Sequence, residues 1–473
     1  MNQFVFERKQ KITLISFMVL GALCLAGSYV MDSTMDHTRF WTNLLHNAVF
    51  FTGISFLGLF VLAAFTTAFA GWYTVMKRIW EAYAQFLPIG LLLLLPVIAG
   101  VWLHWHHLYH WAMDGIADPE HVNYDRIIAG KSAFLNKEFY TISTILVLGI
   151  WYFFATRIRK ISVSEDASGM PTFEHHHRLR ATSAVFLAIA GFSSVVLIWQ
   201  WVMSIDAHWY STMFAWYSTA SWFVACLALT IMMLVYLKSK GYYEEVTEEH
   251  LHDLGKFLFA FSVFWTYLWF SQYMLIWYAN NGEETIYFRQ RYDSYPVLFY
   301  GNLVINFVLP FFILMRNSTK RKYGTLIFTS LIVFFGHWWD YFYMIKPGAL
   351  INVQHASHAG HGHGDGSHGA HGAEGAHSAA GDHAGHGEAG HSGADHAADG
   401  AHGAYEAGHD AAGHGADHAA GFVDGFTLPG LLEIGIFLGF TALFIYVVFN
   451  HMSKAALVPK NDPYLEESLH HHV

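Results

Sequence analysis

Charge is scarce in this sequence. Asp, Glu, Lys and Arg make up only 13% of the 473 residues, while 54% are hydrophobic. A soluble globular protein carries about twice that share of charge, so an ordinary water-soluble domain is excluded. Cysteine is nearly absent as well. Cys24 and Cys226 are the only two, and both lie inside apolar runs. That excludes a disulfide framework, a CxxC motif and a CxxCH haem attachment. No basic excess exists either: the formal net charge is -10, much of it in connecting loops, and it marks no nucleic-acid partner. Arg8, Lys9 and Lys11 precede an apolar run from Ile12 to Val30, which has the look of an export signal. The run exceeds the ~7–15 apolar residues of a cleavable signal, and Leu23 is not the small residue a lipoprotein signal places before its cysteine. The sequence predicts a retained first helix.

What the sequence has in abundance is apolar length. A bilayer-crossing helix needs about 20 such residues, and ten runs qualify: Ile12–Val30, Leu44–Ala70, Tyr83–Leu108, Glu138–Arg157, Arg180–Met203, Met213–Leu237, Phe257–Ala279, Pro296–Met315, Gly324–Ile345 and Thr427–Asn450. Trp and Tyr crowd the run ends, as they do at membrane–water interfaces. Alternate loops differ in basic charge. One set holds only Arg39, Arg126, Lys131, Lys137, Arg289, Arg291 and Lys346, and the other holds every remaining Lys and Arg. By the positive-inside rule both termini are cytoplasmic, and the expected location is a bacterial inner membrane. The expected fold is an all-α integral membrane protein of about ten transmembrane helices. Residues 1–351 carry nine of them, 352–421 form a loop, and 422–473 hold the tenth helix and a cytoplasmic tail.

That loop is Gly, Ala and His with scattered acids, and holds nearly half of the 33 histidines. Its composition cannot bury a core, so the sequence predicts disorder on the periplasmic side. Weak multi-site binding of zinc, copper or nickel competes there with a solvated spacer, and the spacer is the favoured reading. No defined metal site is assigned.

Ionisable groups within a bilayer are costly and usually functional. On the oriented helices His46, His104, His107, His337, Asp340 and Glu433 fall towards the periplasmic side, with Asp206 and His208 closing the fifth span. Glu433 is expected about two turns into the tenth helix, and the cytoplasmic halves are expected to hold few such groups. Asp and His near the outer surface suit a site that takes protons from a quinol and releases them outward. Haem ligation is a rival: His106 and His110 would share a helical face, as would His104 and His107. It is disfavoured because a bundle haem needs paired histidines deep in facing helices. Gln200, Gln272, Asn302 and Asn306 read as interhelical hydrogen-bonding positions.

The segments IWQWVMSIDAHWYSTMFAWY, DLGKFLFAFSVFWTYLWFSQYMLIWYANNGEET and GHWWDYFYMI resemble the large membrane subunits of bacterial alternative complex III, in the polysulfide-reductase membrane-anchor (NrfD/PsrC-like) family. The similarity runs from about Gln10 to Ile345 and through the last helix, and leans towards the second of the two large integral membrane subunits. The resemblance implies two four-helix bundles, about 44–203 and 213–345, flanked by two further helices. It implies a subunit of a quinol:cytochrome c oxidoreductase in a respiratory chain. This chain then holds no redox centre, with a menaquinol or other quinone as the associated substrate. Haem c and iron–sulfur clusters belong to partners: a sister NrfD-like subunit, an iron–sulfur/molybdopterin-like periplasmic subunit, multihaem cytochromes c and a terminal cytochrome oxidase, all among lipids. A scaffold role without quinone stays open beside the proton-conducting one. A secondary transporter is the alternative from another class, weakened by the lack of a Gly/Pro-broken helix pair near the midplane.

Overall fold

An apolar run in a bilayer must satisfy its own backbone hydrogen bonds, and a helix does so within one segment. The computed structural model, which describes residues 3–167, 173–361 and 422–471, is accordingly helical, with no strand among the described residues. The principal helices are α1 (Arg8–Val30), α2 (Thr38–Thr67), α3 (Thr74–Leu103), α4 (Lys137–Glu165), α5 (Phe173–Ile205), α6 (Thr212–Ser239), α7 (Glu248–Ala279), α8 (Gly282–Ser294), α9 (Pro296–Leu314), α10 (Tyr323–His361) and α11 (Leu431–Met452). Among the described residues nine helices, all of these but α8 and α10, are long and apolar enough to cross a membrane. Residues 1–356 and 422–473 form one unit. Residues 357–421 group separately, and the expectations for the His-rich loop fall almost wholly outside the described residues.

Several boundaries differ from the sequence expectation. The third helix stops at Leu103, not Leu108, because His104 turns left-handed with φ 53°. The histidines after it therefore lie on a loop, and the shared-face argument for haem loses its helix. His106 folds back on the helix end, its Nε2 3.0 Å from the Val97 carbonyl. α10 runs 39 residues, past the expected end at Ile345 and through Pro347. α11 begins at Leu431, so Glu433 lies in its first turn rather than two turns in.

The helices pack by adjacency. α2 contacts α3 and α5, α3 contacts α4, and α4 contacts α5, which closes a ring of four. α6 packs on α7, α7 on α9, and α10 hydrogen-bonds to α6, α7 and α9. The most apolar stretches of α2 and α6 are 83% buried, that of α1 only 11%. Large side chains such as Phe192, Trp277 and Tyr278 face outward, as lipid-facing residues do. For reference, the upper end is where α2, α4, α6, α9 and α11 begin, and the lower end is where they finish.

α1 lies against α11 through glycine. A Cβ on Gly21 would sit 2.5 Å from the Cα of Gly439, and one on Gly435 would meet the Cys24 sulfur at 2.4 Å. Small residues spaced by four let helix backbones approach, and nothing else here fits. Gly439→Val should force the pair apart and lower the thermal midpoint of the detergent-solubilised protein, by the ~1–3 kcal/mol typical of overpacking. Gly149→Ala is the control, since nothing lies within 4 Å of its added Cβ. Equal midpoints for the two variants would remove the close-approach argument.

Candidate functional site

The most buried polar constellation is built on α10. Asp340 is fully buried and takes one donor from each of three helices. These are the Tyr217 hydroxyl of α6, Trp265 Nε1 of α7 at 3.0 Å and Asn302 Nδ2 of α9 at 2.6 Å. All three donors are neutral. One turn earlier, His337 Nδ1 lies 2.9 Å from Ser221 Oγ of α6, and its Nε2 is buried without a hydrogen-bond partner among the described residues. Asn306 donates to Asn302 Oδ1 at 2.7 Å and to the Gly336 carbonyl at 2.8 Å. A π-turn, Val304–Val308, follows Asn302; such turns re-aim side chains and recur at functional sites. Asn302 and Asn306 do hydrogen-bond between helices as expected, and Asn302 also holds the carboxylate.

A second set joins α2, α10 and α11 nearer the upper end. His46 Nε2 lies 2.9 Å from the Trp338 carbonyl, and Trp338 Nε1 donates to Asn47 Oδ1 at 3.0 Å. Asn47 donates to the Asn43 carbonyl, and Asn43 Nδ2 to Glu433 Oε1 at 3.1 Å. Arg39, Asn43, His46 and Asn47 share one face of α2 by their spacing. Glu433 is buried in a two-pronged pair with Arg39, at 2.8 and 2.9 Å, and Asp424 adds a contact to Arg39 at 3.0 Å. Lys346 was absent from the sequence candidates. It is buried over the rings of Phe342 and Phe426, and its ammonium has no hydrogen-bond partner among the described residues.

The remaining candidates stand apart. Asp206 is clamped by the buried Arg291 of α8 at 2.9 Å. Arg291 also donates to the carbonyls of Tyr287, Tyr343 and Met344 and lies over the Tyr287 ring. Burial alone would lower the pKa of this guanidinium, but Asp206 more than reverses that. His104, His107 and His208 are on upper surface loops, each beside its own carboxylate: Asp114 at 3.4 Å, Asp36 at 2.5 Å and Asp125 at 2.6 Å. The eight candidates thus fall into a buried group (His46, His337, Asp340, Glu433), a clamp (Asp206) and three surface pairs. None of the eight lines either of two cavities. One of about 350 Å³ lies at the upper end, walled by Phe134, Trp199, Met203, Trp209 and Tyr210 with Lys131 among its lining. The other, about 570 Å³, lies between α1, α6, α10 and α11, with Lys9, Gln10 and Tyr236 among its lining. Neither is lined by Asp340 or His337.

The lower end departs from the expectation of few ionisable groups. Lys77, Arg78, Glu81, Glu165 and Asp462 are all buried there. Lys77 pairs with Asp462 and lies 3.5 Å from Glu165. Arg78 pairs with Glu81 at 3.0 Å and Asp166 at 2.8 Å, and Ser162 donates to Glu81 at 2.5 Å. All of these charges lie between apolar runs or after the last one, so in sequence they resemble ordinary loop charges. Only the fold brings the C-terminal Asp462 onto α3.

No family model matches this chain, and no curated protein matches it.

Burial pushes the Asp462 carboxyl up, but the Lys77 ammonium and the Tyr464 N–H outweigh it and hold its pKa below the ordinary carboxylate value. A carboxyl depressed in this way adds stability above its unfolded pKa of about 3.9 and loses it as pH falls through the folded value. Asp462→Asn strips Lys77 of a buried partner, and such losses cost roughly 3–5 kcal/mol. The variant should have a lower thermal midpoint at neutral pH, with the gap to wild type closing below about pH 4. A gap that stays constant through that range would contradict the ion pair.

Proposed function

We propose that the chain is the cofactor-free membrane subunit of a respiratory quinol-oxidising complex, resembling the second large membrane subunit of alternative complex III, with Asp340 as its proton-handling carboxylate. The supporting observation is the chemistry around Asp340: a fully buried carboxylate whose hydrogen-bond donors are a phenol, an indole and a carboxamide, one helical turn from a histidine whose Nε2 has no partner among the described residues. A carboxylate with neutral donors inside a bundle can gain and lose a proton, whereas one paired with a cation is held ionised.

In this reading the chain is a ten-span protein of the bacterial inner membrane. α2–α5 and α6, α7, α9 and α10 are its two four-helix bundles, α1 and α11 flank them, and both termini face the cytoplasm. The lower end carries most of the Lys and Arg, which supports that orientation. Each quinol releases two protons with its two electrons. The electrons pass to haem and iron–sulfur partners above the membrane. The protons pass through the hydroxyls and imidazole about Asp340, where Tyr217, Ser221 and His337 lie together. The upper cavity, with its aromatic walls, has the character of a quinol-ring site. Asp206 with Arg291 and Glu433 with Arg39 serve as clamps. The scaffold reading draws on those same pairs, since in each the two charges neutralise one another.

Two measurements separate the readings. Purification from native membranes in mild detergent should bring down multihaem and iron–sulfur subunits; a chain that purifies alone is not part of such a complex. Within the intact complex, Asp340→Asn should slow quinol:cytochrome c turnover about tenfold or more, in line with the loss of a proton-transfer group. Haem content and assembly should stay unchanged. Full turnover in a fully assembled variant assigns Asp340 to structure alone.

A further inference from the structure

The upper surface carries a second constellation, built from two connections, α3 to α4 and α5 to α6. His110 follows α3, Asp125 precedes the short helix Arg126–Ala129, and His208 follows α5. One ligand atom from each lies within 4.8 Å of the other two. His208 Nε2 is 2.6 Å from Asp125 Oδ2, and the rings of His110 and His208 are 5.7 Å apart between centroids. We propose that these three side chains form a binding site for a borderline divalent cation, zinc foremost, independent of any quinol chemistry.

Two imidazoles and a carboxylate are a donor set that zinc accepts, with a fourth position left for water. The distances allow it. Bonds of ~2.0–2.1 Å in a tetrahedron put donor atoms about 3.3 Å apart, so the 2.6 Å His208–Asp125 pair has to open slightly while His110, within 4.8 Å of both, draws in. A chance surface cluster would lack support behind it, and this one is supported on every side. Asp125 Oδ1 is occupied by the backbone N–H groups of Ile127 at 2.8 Å and Ile128 at 3.1 Å, which leaves Oδ2, the oxygen facing His208, as the ligand atom. Lys131 Nζ holds the Ala207 carbonyl at 2.8 Å, next to His208. Asn352 Nδ2 ties the two connections together, donating to the Leu108 carbonyl at 2.9 Å and the Ile205 carbonyl at 2.8 Å. Such outer contacts orient metal ligands and govern affinity. Asn352 also stands on the helix from which the chain runs into the His-rich sequence. The competing account is an exposed His–Asp pair of little energetic consequence.

The test uses the full chain in detergent, stripped with chelator and titrated with Co²⁺ and then Zn²⁺. Wild type should show the intense visible bands of four- or five-coordinate cobalt, displaced by zinc. His208→Ala and Asp125→Asn should abolish those bands and weaken the tightest zinc site at least about tenfold, the lower range for losses even outside the ligand shell. Asparagine keeps the helix cap, and His208 is half exposed, so the metal-free thermal midpoints should match wild type and rule out misfolding. His110→Ala should behave likewise. Unchanged spectra and affinity in His208→Ala would place all bound metal on the His-rich sequence and overturn the proposal, as would only weak six-coordinate bands in wild type.

Discussion

Asp340 is the point on which four helices must agree. Its carboxylate takes donors from α6, α7 and α9 while it stands on α10. An unsatisfied carboxylate in an apolar interior costs several kcal/mol, so rotation of any one helix would leave a large penalty. The site thereby fixes the facing residues of all four. The π-turn in α9 contains Asn306, which donates to Asn302, the residue that supplies one of the donors, and also reaches the Gly336 carbonyl. Gly336 has no room for a side chain, since a Cβ there would lie 2.2 Å from Asn306 Oδ1. Close approach of α9 to α10 and satisfaction of Asp340 are one geometric condition.

Most charge elsewhere in the interior follows the opposite logic, with Lys346 and Lys320 set over aromatic rings instead. Lys77 with Asp462, Arg78 with Glu81 and Asp166, Arg39 with Glu433, and Arg291 with Asp206 are opposite-sign pairs in contact. Ion pairs of this kind add little net stability over apolar residues, but removing one partner is severe. Their value is in register. Asp462 draws the C-terminal segment onto α3, Glu433 fixes the start of α11 against α2, and Asp206 with Arg291 anchors α8 against the middle of α10. These pairs lie near helix ends, whereas Asp340 lies within the helices and has no cation among its donors.

The helical, apolar character of the chain was legible because it depends on composition and run length alone. Helix ends were less so. His104 turns left-handed where an apolar count would continue to Leu108, and α10 passes through Pro347 where a count would stop. The candidate residues were legible as types but not as partners, and Glu433 stands in the first turn of α11 rather than two turns in. Asp340, Asp206 and Glu433 look alike in sequence, each an acid near an apolar run. What separates them is Arg291, donated by a helix between runs, and Arg39, nearly 400 residues from Glu433 in the chain. Long-range pairing leaves no local signature, and for that reason the lower-end network and the His110–Asp125–His208 cluster were also invisible.

The ladder from Trp338 through Asn47 and Asn43 to Glu433 connects the neighbourhood of Asp340 to the upper end, and it is tempting to read it as a proton wire. Its chemistry argues otherwise. An indole N–H and a carboxamide N–H₂ donate hydrogen bonds but do not release protons in the accessible range, whereas hydroxyls, imidazoles and carboxyls exchange them. Every link in the ladder is an indole, a carboxamide or a backbone carbonyl until it meets Glu433, which Arg39 holds. The ladder therefore positions α2 against α10 and conducts nothing. Groups able to exchange protons lie on the other side of α10, where Tyr217 and Ser221 of α6 meet Asp340 and His337. A proton held at Asp340 has its exchange partners along α6, and the face towards α2 is rigid support.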